Sequence, residues 1–268
     1  MLTLKPDFVT IVEVNPPILP DHSHHSLEET WSHVLITDNV FGKIRVSPYA
    51  YGARITHDLP EVHPTVVVST RDRNVLAIES EVRGALGNGV DSFLVVSGDT
   101  FPAVEQAATP HEVTEHLRSL QAVMPDFEVG TPTRFDRAHL QRRIDAGAQF
   151  VVTAPVLDPT SLEECLEALQ PSEGDPAIYV AVIPPFSERW VRQAEGWGAV
   201  PVSDPVRSEL AGMEDRTSRR RWAWEQVSEI GRRARSAGAA GLILMGLKFE
   251  TAVEEAAAAL GQARSAAP

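Results

Sequence analysis

Short runs of apolar, β-branched residues alternate with amphipathic stretches along the whole chain. The runs are FVTIVEV (8–14), HVLITDN (33–39), TVVVST (65–70), SFLVVSGD (92–99), FEVG (127–130), QFVVTAP (149–155), AIYVAVIPP (177–185) and GLILMG (241–246). Most are continuously apolar rather than alternating, the signature of strands buried on both faces of a parallel sheet. The fifth run is short and weakly apolar.

The stretches between them read as helices. Residues 74–89 place Val75, Ile78, Val82 and Leu86 on one face and stop at Gly87 and Gly89. Residues 136–148 start at Asp136, a suitable cap, and stop at Gly147. Further helices are expected over 161–170, 218–238 and 250–263, with a weak one over 26–32. NPPILP after the first strand and the segment 203–218 read as loops. Eight βα units fit a chain of 268 residues, since an α/β barrel takes roughly 250. The expected fold is a (β/α)₈ TIM barrel, as one domain over residues 1–268. An open, doubly wound sheet is the rival. It is disfavoured because a proline-rich segment, not a glycine-rich phosphate loop, follows the first strand.

Charge narrows the partners. There are 24 basic and 37 acidic side chains, a formal net charge of −13. Such a field repels nucleic acid and anionic membranes, while a local basic pocket can still hold a small anion. The apolar fraction of 43% supports a sizeable core. No apolar run approaches the roughly 20 residues of a membrane span, and no leader pattern opens the chain. A cytoplasmic protein is expected, and a homo-oligomer stays open. The one cysteine, Cys165, lies among Glu163, Glu164 and Glu167, which disfavour a thiolate. The cluster DHSHH (21–25) lacks converging partners from other segments, so no metal site is expected. Trp222 and Trp224 share a helical spacing with Val227 and Ile230, as on a half-buried helix.

Barrel chemistry sits at the C-terminal ends of the strands. There the sequence places Glu13, Thr37, Ser69, Asp99 and Thr153. Glu13 is the unusual one, a carboxylate inside an apolar strand. Such a group is costly unless it is paired or protonated. It is either a structural carboxylate tied to an arginine or an acid of raised pKa that donates a proton. Asp99, which follows Gly98, either caps its loop or faces a ligand ring.

The order VEVNPP, ITDN, STRDRN, VSGD, DAGAQFVVT and VIPP, with a closing helix, resembles the methylenetetrahydrofolate reductase family over nearly the whole chain. The resemblance implies a (β/α)₈ barrel that reduces 5,10-methylenetetrahydrofolate to 5-methyltetrahydrofolate in one-carbon metabolism and methionine biosynthesis. It implies FAD as cofactor and NADH or NADPH as electron donor. Glu13 matches the family's proton donor to the folate nitrogen. Thr37 matches a threonine near the flavin, and Ser69 falls with it among the expected cofactor contacts. Asp99 matches the aspartate between flavin and pterin. Asp136, with Arg142 or Arg143, falls where the family holds the ribose and phosphates. The chain departs from the family at Ala154, where a pterin-binding glutamine is usual, at Val67 and at Ser97. It also replaces the family's loop after strand four with the short TFPAVEQAATPHE. A flavin-free reductase using a nicotinamide or deazaflavin coenzyme, and a non-catalytic folate-binding or partner-binding barrel, are the alternatives.

Overall fold

The computed structural model describes residues 2, 8–19, 31–99, 105–196, 200–247, 255, 256 and 258–260. Eight strands form in it: β1 (Val9–Val14), β2 (His33–Ile36), β3 (His63–Ser69), β4 (Ser92–Val96), β5 (Glu128–Thr133), β6 (Phe150–Thr153), β7 (Ala177–Val182) and β8 (Gly241–Leu244). All neighbours pair in parallel, and β8 returns to β1, so the sheet closes into a barrel in chain order. Helices α1 (Pro48–Asp58), α2 (Val75–Leu86), α3 (Pro110–Leu120), α4 (Arg137–Asp145), α5 (Pro159–Leu169), α6 (Glu188–Glu195), α7 (Asp204–Gly212) and α8 (Arg216–Ser236) connect them. This is the (β/α)₈ barrel expected from the alternating pattern.

Alternation along each strand sorts the side chains into two cores. Val9, Ile11, Leu35, Val67, Leu94, Phe150, Val152, Tyr179, Ala181 and Ile243 fill the barrel. Their neighbours, such as Val12, Val14, Val34, Val66, Phe93, Val129 and Leu242, pack outward under the helices. Double burial explains why the strands read as continuous apolar runs. Parity also fixes the site, because the inward series Val9, Ile11 next reaches Glu13, at the upper end of β1.

Several expectations on the helices need correction. Residues 203–218 are not a loop: Ser203 precedes α7 and Asp215 caps α8 by accepting the Ser218 N–H at 2.7 Å. α3 begins within the segment taken as a short loop. Its signal is a capping box, in which the Thr109 hydroxyl and Glu112 carboxylate satisfy each other's backbone N–H groups. β5 is longer than FEVG and runs through Pro132. α1 carries no clear apolar stripe in sequence, since its buried positions are Pro48, Tyr49, Tyr51, Gly52 and Ile55. Most of the weak helix expected at 26–32, most of the closing helix, and the histidine cluster at 21–25 lie outside the described residues.

Trp222, Trp224, Val227 and Ile230 are buried on one face of α8, as their spacing predicts. Cys165 is buried, and burial with the nearby Glu164 and Asp158 pushes its thiol up to about 12. Among the described residues, no helix is long and apolar enough to cross a membrane.

Candidate active site

The candidate site lies at the C-terminal mouth of the barrel. Glu13 is half-buried there, and its Oε1 accepts the backbone N–H of Gly246, just beyond β8, at 3.3 Å. Among the described residues no arginine or lysine pairs with it. Its carboxyl is pushed up to about 7. Burial is the main cause, the Gly246 N–H opposes it, and the negative charge of Asp99 adds to it. Glu13 is therefore a carboxyl poised to hold or release a proton near neutral pH.

Asp99 lies in the loop after β4, exposed, and its Oδ2 accepts the N–H of Phe41. Phe41 is exposed and has left-handed backbone, with φ 57°, an uncommon state for a bulky residue. The structure thus brings Glu13 and Asp99 together from β1 and β4.

The other expected site residues fall differently. The Thr37 hydroxyl donates to Asn15 Oδ1 at 2.9 Å, and the residue is buried against β1. Ser69 is wholly buried, and its Oγ accepts the N–H of Arg71 at 3.3 Å. It has no exposed surface to offer a ligand, because the loop after β4 lies on it. A Cβ on Gly98 would come within 2.3 Å of that Oγ, and Gly98 has φ +79°, so glycine alone fits. Ala154 follows the inward series Phe150, Val152 and brings no polar group to the mouth. Thr153 is turned the other way, accepting the N–H of Ala181 at 3.1 Å.

Asp136 caps α4, accepting the N–H of His139 at 2.9 Å. It is tied to helix geometry, but it stands beside a cationic cluster. Arg143 donates to the Pro132 carbonyl at 3.0 Å and lies 3.3 Å from His139 Nε2. Arg134 N–H points at His139 Nδ1 at 3.2 Å, so donors face both ring nitrogens, and a neutral imidazole accepts from one of them. Burial, then Arg143, Arg142 and Arg134, push the imidazole down to about 4. Arg134, Arg142 and Arg143 thus surround the His139 ring, while the Asp136 carboxylate holds the first turn of α4. Arg134 and His139 were not singled out from sequence; the spacing His139–Arg143, one helical turn, was the available signal.

Behind the mouth, Asp38 has no exposed side-chain surface, and Arg73 grips it at 2.5 Å. Arg73 also meets Glu81 at 3.0 Å and lies over the Tyr49 ring. Arg73→Ala would leave Asp38 as a buried, unpaired charge, and an equilibrium urea titration should show a loss of about 3 kcal/mol. A loss under about 1 kcal/mol would mean that the pair is screened like a surface pair.

A separate groove of about 400 Å³ lies in the outer helical layer, among α5, α7 and α8. It shares no residue with the mouth. Among the described residues, no group of three His, Cys, Asp or Glu could hold a metal ion.

No protein-family model matches the chain, and no curated protein matches it. Solved structures do. An uncharacterized protein from Clostridium thermocellum, described as binding two copies of 5-methyl-5,6,7,8-tetrahydrofolic acid, aligns with TM-score 0.64 and 13% identity over 97% of this chain and 95% of that one. A 2,3-dimethylmalate lyase of the PEP mutase/isocitrate lyase superfamily aligns with TM-score 0.55 and 14% identity, covering 98% and 83%. An oxaloacetate acetylhydrolase aligns with TM-score 0.57 and 11% identity, covering 99% and 84%. At these identities the likeness is one of fold.

Proposed function

We propose that the protein binds a reduced folate at the barrel mouth and reduces 5,10-methylenetetrahydrofolate to 5-methyltetrahydrofolate, with Glu13 as the proton donor. The observation that carries this is Glu13 itself, an inward carboxyl without a cation partner among the described residues and held near pH 7. The fold shared with a barrel described as binding 5-methyltetrahydrofolic acid supports the folate. The motif order that resembles the reductase family supports the reaction.

The chemistry asks for such an acid. The methylene carbon bridges two nitrogens in a five-membered ring. Protonation of one nitrogen lets its bond to that carbon break, leaving an iminium on the other. A hydride then adds to the iminium carbon and gives the methyl group. Glu13 gives up one proton in this sequence and regains it from solvent. General acid catalysis of this kind contributes about 10²–10⁴-fold, most when the pKa lies near working pH. In this reading the Asp99 charge, which adds to the rise of the Glu13 carboxyl, would also favour the cationic intermediate.

A bound coenzyme, FAD in this reading, would supply the hydride and would draw its electrons from NADH or NADPH. Arg142 and Arg143 would meet the phosphates of such a nucleotide, with Asp136 beside them for a ribose. The second reading, a flavin-free reductase fed by a nicotinamide or deazaflavin coenzyme, is favoured by one observation: Ser69 has no exposed surface and the Thr37 hydroxyl is turned onto Asn15. Those arginines would serve either coenzyme.

Isothermal titration with 5-methyltetrahydrofolate, and NADH or NADPH oxidation with methylenetetrahydrofolate, test the proposal. Saturable binding with coenzyme oxidation dependent on folate is expected. Binding without turnover would leave a folate-binding barrel, and no binding would refute the reading. Flavin absorbance of the purified protein separates the two coenzyme readings.

A further inference from the structure

The motif Arg71-Asp72-Arg73-Asn74, directly after β3, has no part in the chemistry above, yet each side chain fastens a different piece of the mouth. Arg71 is buried. Its guanidinium donates to the backbone carbonyl of Asp99 at 3.2 Å, to that of Asn39 at 3.3 Å and to that of Asp38 at 3.4 Å. It therefore joins the loop after β2 to the loop after β4. Asp72 has φ 57° and takes hold of the latter loop again, donating its N–H to the Glu105 carbonyl at 2.7 Å and accepting the Glu105 N–H at 3.1 Å. Arg73 holds the Asp38 carboxylate, and Asn74 caps α2 by accepting the Ala77 N–H at 2.9 Å.

A buried guanidinium is costly unless its donors are satisfied. Here the two terminal nitrogens donate to loop carbonyls, which fixes backbone, and Nε faces the Asp72 carboxylate at 3.6 Å. Gly98 completes the arrangement, since a Cβ there would also lie 3.2 Å from Arg71 Cβ. The loop after β4 rests directly on Arg71. Asp99 is thereby held at both ends, its carbonyl by Arg71 and its carboxylate by Phe41 N–H.

We propose that Arg71 is a positioning residue: by locking the loops after β2 and β4 together, it sets the separation of the Asp99 and Glu13 carboxyls. The inference rests on the reading of Glu13 as the site's acid, but its test uses no folate, so the two can fail separately. Asp99 and the Gly246 N–H act on Glu13. Around Arg71 stand the Asp72 carboxylate, 3.6 Å from Nε, and the Asp38–Arg73 pair.

The experiment is an NMR titration of ¹³C-labelled Glu13 in the ligand-free protein, in wild type, Asp99→Asn, Arg71→Met and Arg71→Lys. Asp99→Asn sets the reference, a fall in the Glu13 midpoint. If Arg71 positions Asp99, both Arg71 variants lower the midpoint too, by up to the shift seen in Asp99→Asn. Hydrogen exchange should also quicken at residues 38–42 but not in β8. Direct loss of a nearby positive charge has the opposite sign, a higher midpoint in Arg71→Met and no change in Arg71→Lys. A raised or unmoved midpoint in a folded Arg71→Met overturns the proposal. If Arg71→Met does not fold, Arg71→Lys decides by the same criterion. Failure of both to fold would make Arg71 a fold element instead, and would equally overturn it.

Discussion

Glu13→Gln is expected to remove folate reduction almost entirely, a loss of about 10²–10⁴-fold in the rate of the chemical step. Any transfer from nicotinamide to flavin should persist, since that step needs no proton on a folate nitrogen. Rapid-mixing measurement of the two half-reactions separates them, and an equal loss in both would make Glu13 structural. The same variant has a stability signature. The folded carboxyl titrates at about 7 rather than at its ordinary 4.5. Protonated Glu13 is therefore tolerated, and ionising it costs folded stability. That contribution is whole below pH 4.5 and is lost as pH rises to about 7. The shift corresponds to at most about 3 kcal/mol, less to the extent that water reaches the half-buried group. Glutamine cannot ionise. Measured against wild type, Glu13→Gln should gain stability from pH 4.5 to about 7 and then level off, and a constant difference across that range would contradict the burial argument.

The largest effect on the fold is expected at Gly241, where β8 meets β1 to close the barrel. Gly241 pairs with Val9 on one side and Tyr179 on the other. A Cβ there would lie 2.1 Å from the Val9 carbonyl oxygen and 3.0 Å from two atoms of the Tyr179 ring. The carbonyl is backbone, so it cannot turn aside without parting the two strands. The Tyr179 ring is packed in the barrel centre, with its hydroxyl on the Leu2 carbonyl at 3.2 Å. Overpacking of a rigid core costs about 1–3 kcal/mol, and more when backbone must move. Gly241→Ala should exceed about 3 kcal/mol in a denaturant titration or fail to fold. A cost below about 1 kcal/mol would show that the β1–β8 seam can give.

Much of this was legible in the sequence because burial leaves a pattern. Strands covered on both faces read as apolar runs, so the barrel followed from their number and order. Glu13 stood out for the same reason, as a carboxylate near the end of a continuous apolar run. Elements whose apolar content is low or carried by unusual residues were missed. α1 buries tyrosines, a proline and a glycine, and α7 starts in a stretch read as loop. Arg71 was seen only as part of a motif, because its partners are backbone carbonyls of loops remote in sequence, and no residue type announces them. Ser69 shows what position alone does not tell. Its place at a strand end pointed to a ligand, while the packing of Gly98 against its hydroxyl, which buries it, has no mark in the sequence.

The most direct test of the account is a crystal structure with 5-methyltetrahydrofolate bound. The expected result is the pteridine ring at the C-terminal mouth, with the Glu13 carboxyl within hydrogen-bonding distance of the ligand and Asp99 at its edge. Folate bound elsewhere on the barrel, with Glu13 out of its reach, would contradict it.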